Sequence, residues 1–417
     1  MNLPPAINSY DHLIRQVMRI EDVTAGRADQ DFIVRYRGRI INPDTAAAYD
    51  QLSETLAPHN LTPLFRRDGS QHAILLVPGL PKPTPDNTRI NLVMFLLTLV
   101  SLLVTGGFLA FGETIPAGLG AVIIGIVTQG WPFALSMMAI LGSHEMGHYL
   151  MGRRHKVHVT LPYFIPMPYP FSPFGTLGAF INMKEIPKNR RQLLDIGAAG
   201  PLAGLIVAIP VLLIGLSLSP VTSLPPQDII CPPTAITDLF ATPSPECLAP
   251  PALEGSSILY LLLKYLSKGE LLPAPVTYTT PPLLHWLQYL FTGHPVPFGG
   301  RDVTLHPVAW AGWAGLLVTA MNLIPAGQLD GGHVLFVLLG GQKMKKVVRI
   351  ILIGLVGLGL FWPGWWLWAA LIFFLGRAHA EPLDQITPLD GRRKALAVLM
   401  VIVFLLVFVP VPLMLLQ

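Results

Sequence analysis

"SHEMGHYLMGRRHKVH" (residues 143–158) sets two histidines and a glutamate into an apolar stretch and then ends in a basic cluster. Residues four apart on a helix share a face, so His144 and His148 point the same way. That spacing suits two imidazole ligands on one divalent metal, and Glu145, one step round the helix, can act as base on a water held there. The five residues match H-E-x-x-H, a pattern that also arises by chance on solvated helices. Here the surroundings are apolar. Ionisable groups within a membrane helix are costly, so each is read as functional.

The composition agrees with that setting. Of 417 residues, 52% are hydrophobic and only 12% charged, against about 25% charged in soluble domains. An ordinary soluble enzyme is excluded. A bilayer crossing needs about 20 apolar residues, and such stretches lie at 90–112, 131–152, 197–218, 306–324 and 394–415. The run 347–376 reads as two short spans hinged at "FWPGWW". The piece 117–129, between Pro116 and Pro132, is too short to span and reads as re-entrant or as an extension of the next helix. The fold class is therefore a polytopic α-helical membrane protein of about six to seven spans.

Residues 1–85 differ from the rest, with charges throughout and no apolar h-region, so they are not read as a signal peptide. They suggest a small soluble α+β domain. "FIVRYRGRI" (32–40) alternates as a strand does, Asp44 can cap a helix through about Leu56, and "LTPLFRRDGSQHAILLV" (61–77) reads as two strands joined at Asp68–Gly69. The order is βαββ, followed by the Pro-rich linker "PGLPKPTPDNT" (78–88). The membrane core then covers 90–376, and residues 377–417 supply a loop and a last transmembrane helix.

Basic loops stay on the cytoplasmic side. They hold Arg153, Arg154 and Lys156, then Lys184, Lys188, Arg190 and Arg191, then Lys343, Lys345, Lys346 and Arg349, and last Arg377, Arg392, Arg393 and Lys394. By contrast 219–253 has no Lys or Arg and contains both cysteines, Cys231 and Cys247, which places it outside. A disulfide between them is expected, with two free thiols as the alternative. Glu145 lies eight residues before Arg153, roughly 10 Å along a helix from the basic exit.

A catalytic zinc takes three protein ligands and keeps a position for water. The third is offered by "NLIPAGQLDGGH" (322–333), where Pro325 and Gly327 break a helix before Asp330. Broken backbone at membrane depth is tolerated only when buried in protein or lining a wet cavity. The plainer reading has Asp330 merely cap the helix that follows, which leaves the unwound segment without a purpose. His333 is read as structural. One further stretch, "FSPFGTLGAFINMKEIP" (171–187), is a short β-like run punctuated by Gly175 and Gly178. Strand edges bind extended peptides, so residues 174–182 are expected to hold an opened substrate through Gly175, Gly178 and Asn182. The alternative is an ordinary inside loop.

These motifs together resemble the site-2 proteases, a family of intramembrane zinc metalloproteases. The resemblance rests on His144–Glu145–Met146–Gly147–His148, on Asn322, Pro325, Asp330 and Gly331 as N-x-x-P-x-x-x-x-D-G, and on Gly200, Pro201 and Gly204 as G-P-x-x-G. It covers roughly residues 90 to 376. "HPVAWAGWAGLLVTAMNLIPAGQLDGGH" (306–333) looks most like the branch of chloroplast EGY-type proteases, and no strand pattern long enough for a PDZ domain is present. The resemblance implies one catalytic Zn2+ on His144, His148 and Asp330, Glu145 as general base, and Asn322 positioning or polarising the scissile carbonyl. It also implies a membrane-associated β-hairpin at 171–187. The expected function is hydrolysis of a peptide bond within or near a transmembrane segment of another membrane protein. The partners are then that protein and the lipid bilayer, with no nucleic acid, in a bacterial plasma membrane or an organellar one.

Two other readings stay open. A transporter or channel can use intramembrane His, Glu and Asp as an ion pathway. An H-E-x-x-H enzyme with a later glutamate ligand is disfavoured, since no suitable acid lies in a later apolar span and Glu381 is in a loop.

Overall fold

The protein is described from a computed structural model covering residues 10–27, 29–79, 86–112, 114–230, 252–375 and 381–415. The N-terminal region contains α1 (Asp11–Ile14), β1 (Met18–Ala25), β2 (Val34–Ile40), α2 (Thr45–Leu56), β3 (Leu61–Asp68) and β4 (Gln71–Pro78). The strands form one antiparallel sheet in the order β1-β2-β4-β3. The Asp44 carboxylate accepts the backbone N–H of Ala46 and Ala47 and so starts α2. The βαββ order expected from the pattern lacks β1. Its pairing slips at a bulge between Ile20 and Asp22, which breaks the alternation a strand is read from.

The core of this sheet holds Tyr36, Leu52, Phe65 and Ile74, and it takes in Leu383 and Ile386 from the far end of the chain. Phe65 N–H donates to the Leu383 carbonyl at 2.9 Å, and Gln385 N–H donates to the Phe65 carbonyl at 3.1 Å. The segment at 381–387 thus covers the β3 edge, which would otherwise offer unpaired backbone groups.

The membrane part begins with α3 (Thr88–Phe111) and α4 (Leu119–Arg154), followed by β5 (Tyr163–Pro166), β6 (Thr176–Phe180) and α5 (Arg190–Leu218). Among the described residues, α3, α4 and α5 are the three helices long and apolar enough to cross a membrane. The piece 117–129 is an extension, because α4 runs unbroken through Pro132 for 36 residues, about 54 Å. Glycines explain how. A Cβ on Gly130 of α4 would lie 2.2 Å from the Leu103 carbonyl of α3, so the two backbones touch and hold the helix across the proline. The two helices form an antiparallel pair: the Asn91 amide at the start of α3 donates to the carbonyls of Leu161 and Pro162, just past the end of α4.

Beyond α5 come β7 (Val221–Ser223), β8 (Ala252–Glu254), α6 (Ile258–Lys268), α7 (Pro282–Thr292) and β9 (Arg301–Val303). Cys231 and Cys247, with their expected pairing, lie outside the described residues. The chain returns through α8 (Pro307–Asn322), breaks, and resumes as α9 (Asp330–Leu339), α10 (Gly341–Leu358), α11 (Gly364–Leu375), α12 (Gly391–Val407) and β10 (Leu413–Leu415). The last transmembrane helix, expected to reach 415, stops at Val407 instead. Pro410 and Pro412 cannot continue it, and β10 pairs with β8, Leu413 opposite Glu254.

The β-like run is one arm of a two-stranded hairpin whose other arm, β5, comes from "YFIP". Ser101 Oγ of α3 donates to the Gly175 carbonyl at 2.7 Å, and Trp310 Nε1 of α8 donates to the Pro173 carbonyl at 3.1 Å. The turn of the hairpin is therefore tied to two helices.

Candidate metal centre

His144, Glu145 and His148 are all buried, one turn apart on α4. Opposite them, α8 ends at Asn322, and Gly327 adopts φ +59° before α9 opens on Asp330. Asp330 makes no cap hydrogen bond as its helix's N-cap, a position that belongs to Leu329. Its carboxylate instead meets both imidazoles: Oδ2 lies 3.4 Å from His144 Nε2 and 3.3 Å from His148 Nε2. The two Nε2 atoms are 3.3 Å apart. Among the described residues these three form the group able to hold a metal ion, with ligand atoms within 4.8 Å of one another.

The orientation of the rings has a cause. His148 Nδ1 is 2.8 Å from the Ile196 carbonyl. A carbonyl only accepts, so Nδ1 carries a proton, and Nε2 is the ring atom turned toward Asp330. Glycines supply the room. A Cβ on Gly200 of α5 would stand 2.0 Å from His148 Nε2, and one on Gly204 would stand 3.1 Å from His144 Nδ1. The G-P-x-x-G motif is thus a cradle for the two imidazoles. After Asp330, Cβ atoms on Gly331 and Gly332 would meet the carbonyls of Leu323 and Gly327 at 2.0 and 2.4 Å, which is why two glycines follow the aspartate.

A cavity of about 190 Å³ opens beside this group, lined by His144, Glu145, His148, Asn322, Asp330 and His333 among others. It is large enough for several waters. Asn322 Nδ2 lies 3.3 Å from His144 Nε2, so the amide stands at the edge of the ligand group. His333, read from sequence as structural, faces the same cavity, as does Gln328, which carried no sequence signal beyond its place in the unwound segment.

The hairpin residues divide. Gly178 (φ +111°) lines a second cavity that also reaches His144, Glu145 and Asn322. Gly175 is a tight turn held by Ser101 and packed against Leu102 and Thr105, and Asn182 is exposed with its backbone bonded to Thr160. Neither lines the two cavities at the site. Ala179, inside the stretch 174–182 expected to hold the substrate though not among its three named residues, lines both.

Two imidazole nitrogens and one carboxylate oxygen, converging in a buried site with a glutamate alongside, are a donor set suited to zinc. The family model described as peptidase family M50 matches residues 132–361, a span that contains every one of these residues. The chain belongs to peptidase family M50. Curated relatives include the "Probable zinc metalloprotease EGY2, chloroplastic" of Oryza sativa subsp. indica, 31% identical over 67% of this chain and 42% of the relative. The protein of the same name from Arabidopsis thaliana is 31% identical over 69% of this chain and 43% of the relative. The "Probable zinc metalloprotease EGY1, chloroplastic" of Arabidopsis thaliana is 30% identical over 68% and 44%. The chain therefore spans less than half the length of these relatives. No solved structure matches it. Within this M50 chain, the N-terminal sheet and the C-terminal strand lie outside the matched residues.

Proposed function

We propose that this chain is an intramembrane zinc metalloprotease that hydrolyses a peptide bond within or near a transmembrane segment of another membrane protein. The observation that carries this reading is the convergence of His144 and His148 from α4 with Asp330, which opens α9 after the unwound turn that follows α8, beside Glu145 and a cavity. In this reading His144, His148 and Asp330 hold one Zn2+. The metal, when bound, polarises the scissile carbonyl and acidifies water.

The chain's own groups carry the rest. Glu145 accepts the proton of the attacking water and returns it to the leaving amine. Asn322, an amide donor at the edge of the ligand group, hydrogen-bonds the carbonyl oxygen as it gains charge. The β6 edge receives the opened substrate strand, since a transmembrane helix hides its carbonyls in its own hydrogen bonds. Ala179→Pro, which removes one backbone donor between the two cavities, lowers cleavage several-fold while metal content is retained; a variant that cuts at the parent rate would leave the hairpin a connector.

The active side is the basic one. The antiparallel pairing of α3 and α4 supports a common side for the N-terminal sheet and Arg153, and the ion pair between Lys188 and Asp50, 3.0 Å, joins that sheet to the loop before α5. The setting in this reading is a bacterial plasma membrane or an organellar membrane, with the site toward the cytoplasm or its organellar equivalent. The deciding experiment incubates the purified protein in nanodiscs with a model transmembrane peptide and measures bound zinc. One zinc per chain and chelator-sensitive cleavage are expected. Ion or proton flux through the protein without cleavage would overturn the reading in favour of a transporter.

A further inference from the structure

Two cavities meet at the same residues. The inner one, about 190 Å³, reaches Gln328 and His333; the outer one, about 350 Å³, is walled by Phe174, Leu177, Leu317, Met321, Trp362 and Trp368. His144, Glu145, Asn322 and Ala179 line both. The outer cavity lies on the exterior side: its α4 wall begins at Met137 and Leu141, before Glu145, and its α8 wall at Leu317, before Asn322. Glu145, at its inner end, is the one charged residue that lines it.

The β6 strand passes from one cavity to the other. Thr176, Leu177, Gly178 and Ala179 face the outer cavity, and Ala179, Phe180 and Ile181 reach the inner one. The walls come from five parts of the fold: α4, the hairpin, α8, residues 362–368 and residues 412–413. Phe174 stacks on Trp310 at 5.8 Å, and Trp310 on Trp313 at 4.8 Å, fixing the hairpin turn against α8. A strand laid beside β6 with its scissile carbonyl at the His144–Glu145 level therefore sends its next residue on the exterior side into an apolar, pre-shaped chamber.

We propose that this outer cavity is the specificity pocket of the site, taking one large apolar side chain, that of the residue immediately exterior to the cleaved bond, and so choosing which bond is cut. The inference rests on the peptidase reading and adds the substrate class: segments with Leu, Phe or Met at that position. A polar side chain placed there gives up its water for walls that are mostly apolar, and a charged one fares worse. An aliphatic chain shortened by a methylene or more loses about 10- to 200-fold in a hydrophobic pocket of this kind.

The test uses the full chain in nanodiscs and a series of transmembrane peptides varied at the exterior neighbour of the cleaved bond, with products located by mass spectrometry. The parent cuts Leu and Phe peptides at least about tenfold faster in kcat/KM than Ala and leaves Asp uncut, while the same changes on the inner side matter less. Leu317→Trp, which fills the pocket, reverses the order of Phe and Ala, and Trp368→Ala, which enlarges it from another helix, admits Trp. Zinc content is unchanged in both. If Leu317→Trp is unfolded, Trp368→Ala alone decides. Equal Leu-to-Ala ratios in parent and variants would mean that the cavity holds lipid tails and would overturn the proposal. A parent that cuts no peptide, indistinguishable from Glu145→Gln, would remove the peptidase reading first.

Discussion

Two clusters of buried charge sit at opposite ends of this fold. In the lysine cluster, Lys264 Nζ lies 2.8 Å from both Glu254 Oε1 and Asp302 Oδ1, the Tyr260 hydroxyl donates to the same Glu254 oxygen at 2.8 Å, and the ammonium stands 4.7 Å from the Tyr260 ring. In the inner cluster, His144, His148 and Asp330 meet at 3.3–3.4 Å with Glu145 alongside and a cavity at the edge. Both bear the desolvation cost of charge in an apolar setting. The lysine cluster meets it with a cation that belongs to the chain, closed on all sides. The inner one brings lone pairs together, which is stable as a ligand set and is chemically useful only with access to water and substrate. Burial and charge alone do not separate a structural cluster from a catalytic one; what the donors point at does.

The sharpest way to break this contrast is Glu145→Gln. The amide keeps the shape and loses the base, so cleavage falls by about 10²- to 10⁴-fold with bound zinc unchanged by elemental analysis. His148→Ala and Asp330→Ala lose zinc as well, because two protein ligands hold it poorly. Full proteolysis in purified Glu145→Gln would erase the distinction between base and ligand on which the site is argued.

Next in size is Lys264→Met. It leaves Glu254 and Asp302, both nearly inaccessible, without their cation, and breaking a buried pair in this way costs roughly 3–5 kcal/mol. Thermal unfolding in detergent should show the loss, and adding Glu254→Gln and Asp302→Asn should restore much of it. Zinc stoichiometry in the folded fraction stays at the parent value. Loss of zinc in a variant of parental stability would mean that the two clusters are not separate.

The lysine cluster also has a pH signature. Burial raises the Glu254 carboxyl above its usual range against the pull of Lys264. Burial works against the Lys264 charge, yet Asp302 and Glu254 outweigh it and hold the ammonium above the ordinary lysine range. Groups raised in the folded state stabilise it below their unfolded pKa and cease to do so as pH rises through the folded value. The segment that holds the lysine cluster should therefore loosen above the carboxylate range and again in strong alkali. Hydrogen exchange over residues 252–303 reads this directly, and Glu254→Gln should flatten the first of the two steps.

These clusters were unequally legible in the sequence. His144, Glu145 and His148 announce themselves because helical periodicity is local, and Asp330 because Pro325 and Gly327 visibly interrupt an apolar run. Lys264, Glu254 and Asp302 come from α6, β8 and β9, and nothing near any of them marks the others as partners. The hairpin shows the same limit at shorter range. Thr176–Phe180 is apolar enough to read as β, but which residues face the site depends on register, and a shift of one residue turns each side chain to the other face. Gly175 and Asn182 were selected for their chemistry, whereas Ala179, with none, is the residue between the cavities. β5 was not foreseen at all, since four residues ending in Pro166 give too little alternation.

The smallest effect tests how finely the inner cluster is held compared with the lysine cluster. At Gly200 an added methyl would overlap the His148 ring, 2.0 Å from Nε2 and 2.4–2.5 Å from its neighbours, so Gly200→Ala has to displace a ligand. At Gly204 the methyl would stand 3.1 Å from His144 Nδ1 and 3.3 Å from its Cβ, a contact relieved by a few tenths of an ångström. Disturbing groups that orient metal ligands costs about 10- to 100-fold in affinity. Gly204→Ala should fall at the low end of that range and Gly200→Ala at or beyond the high end, read by zinc competition with a chelating dye. Both substitutions lie in the middle of α5, where replacing Gly with Ala by itself favours the helix. A weaker zinc site in a protein no less stable than the parent would therefore report ligand placement and not folding. Equal affinities in Gly200→Ala, Gly204→Ala and the parent would show that the imidazoles are not set by the α5 glycines, and the inner cluster would then be as tolerant of its surroundings as a closed ion pair.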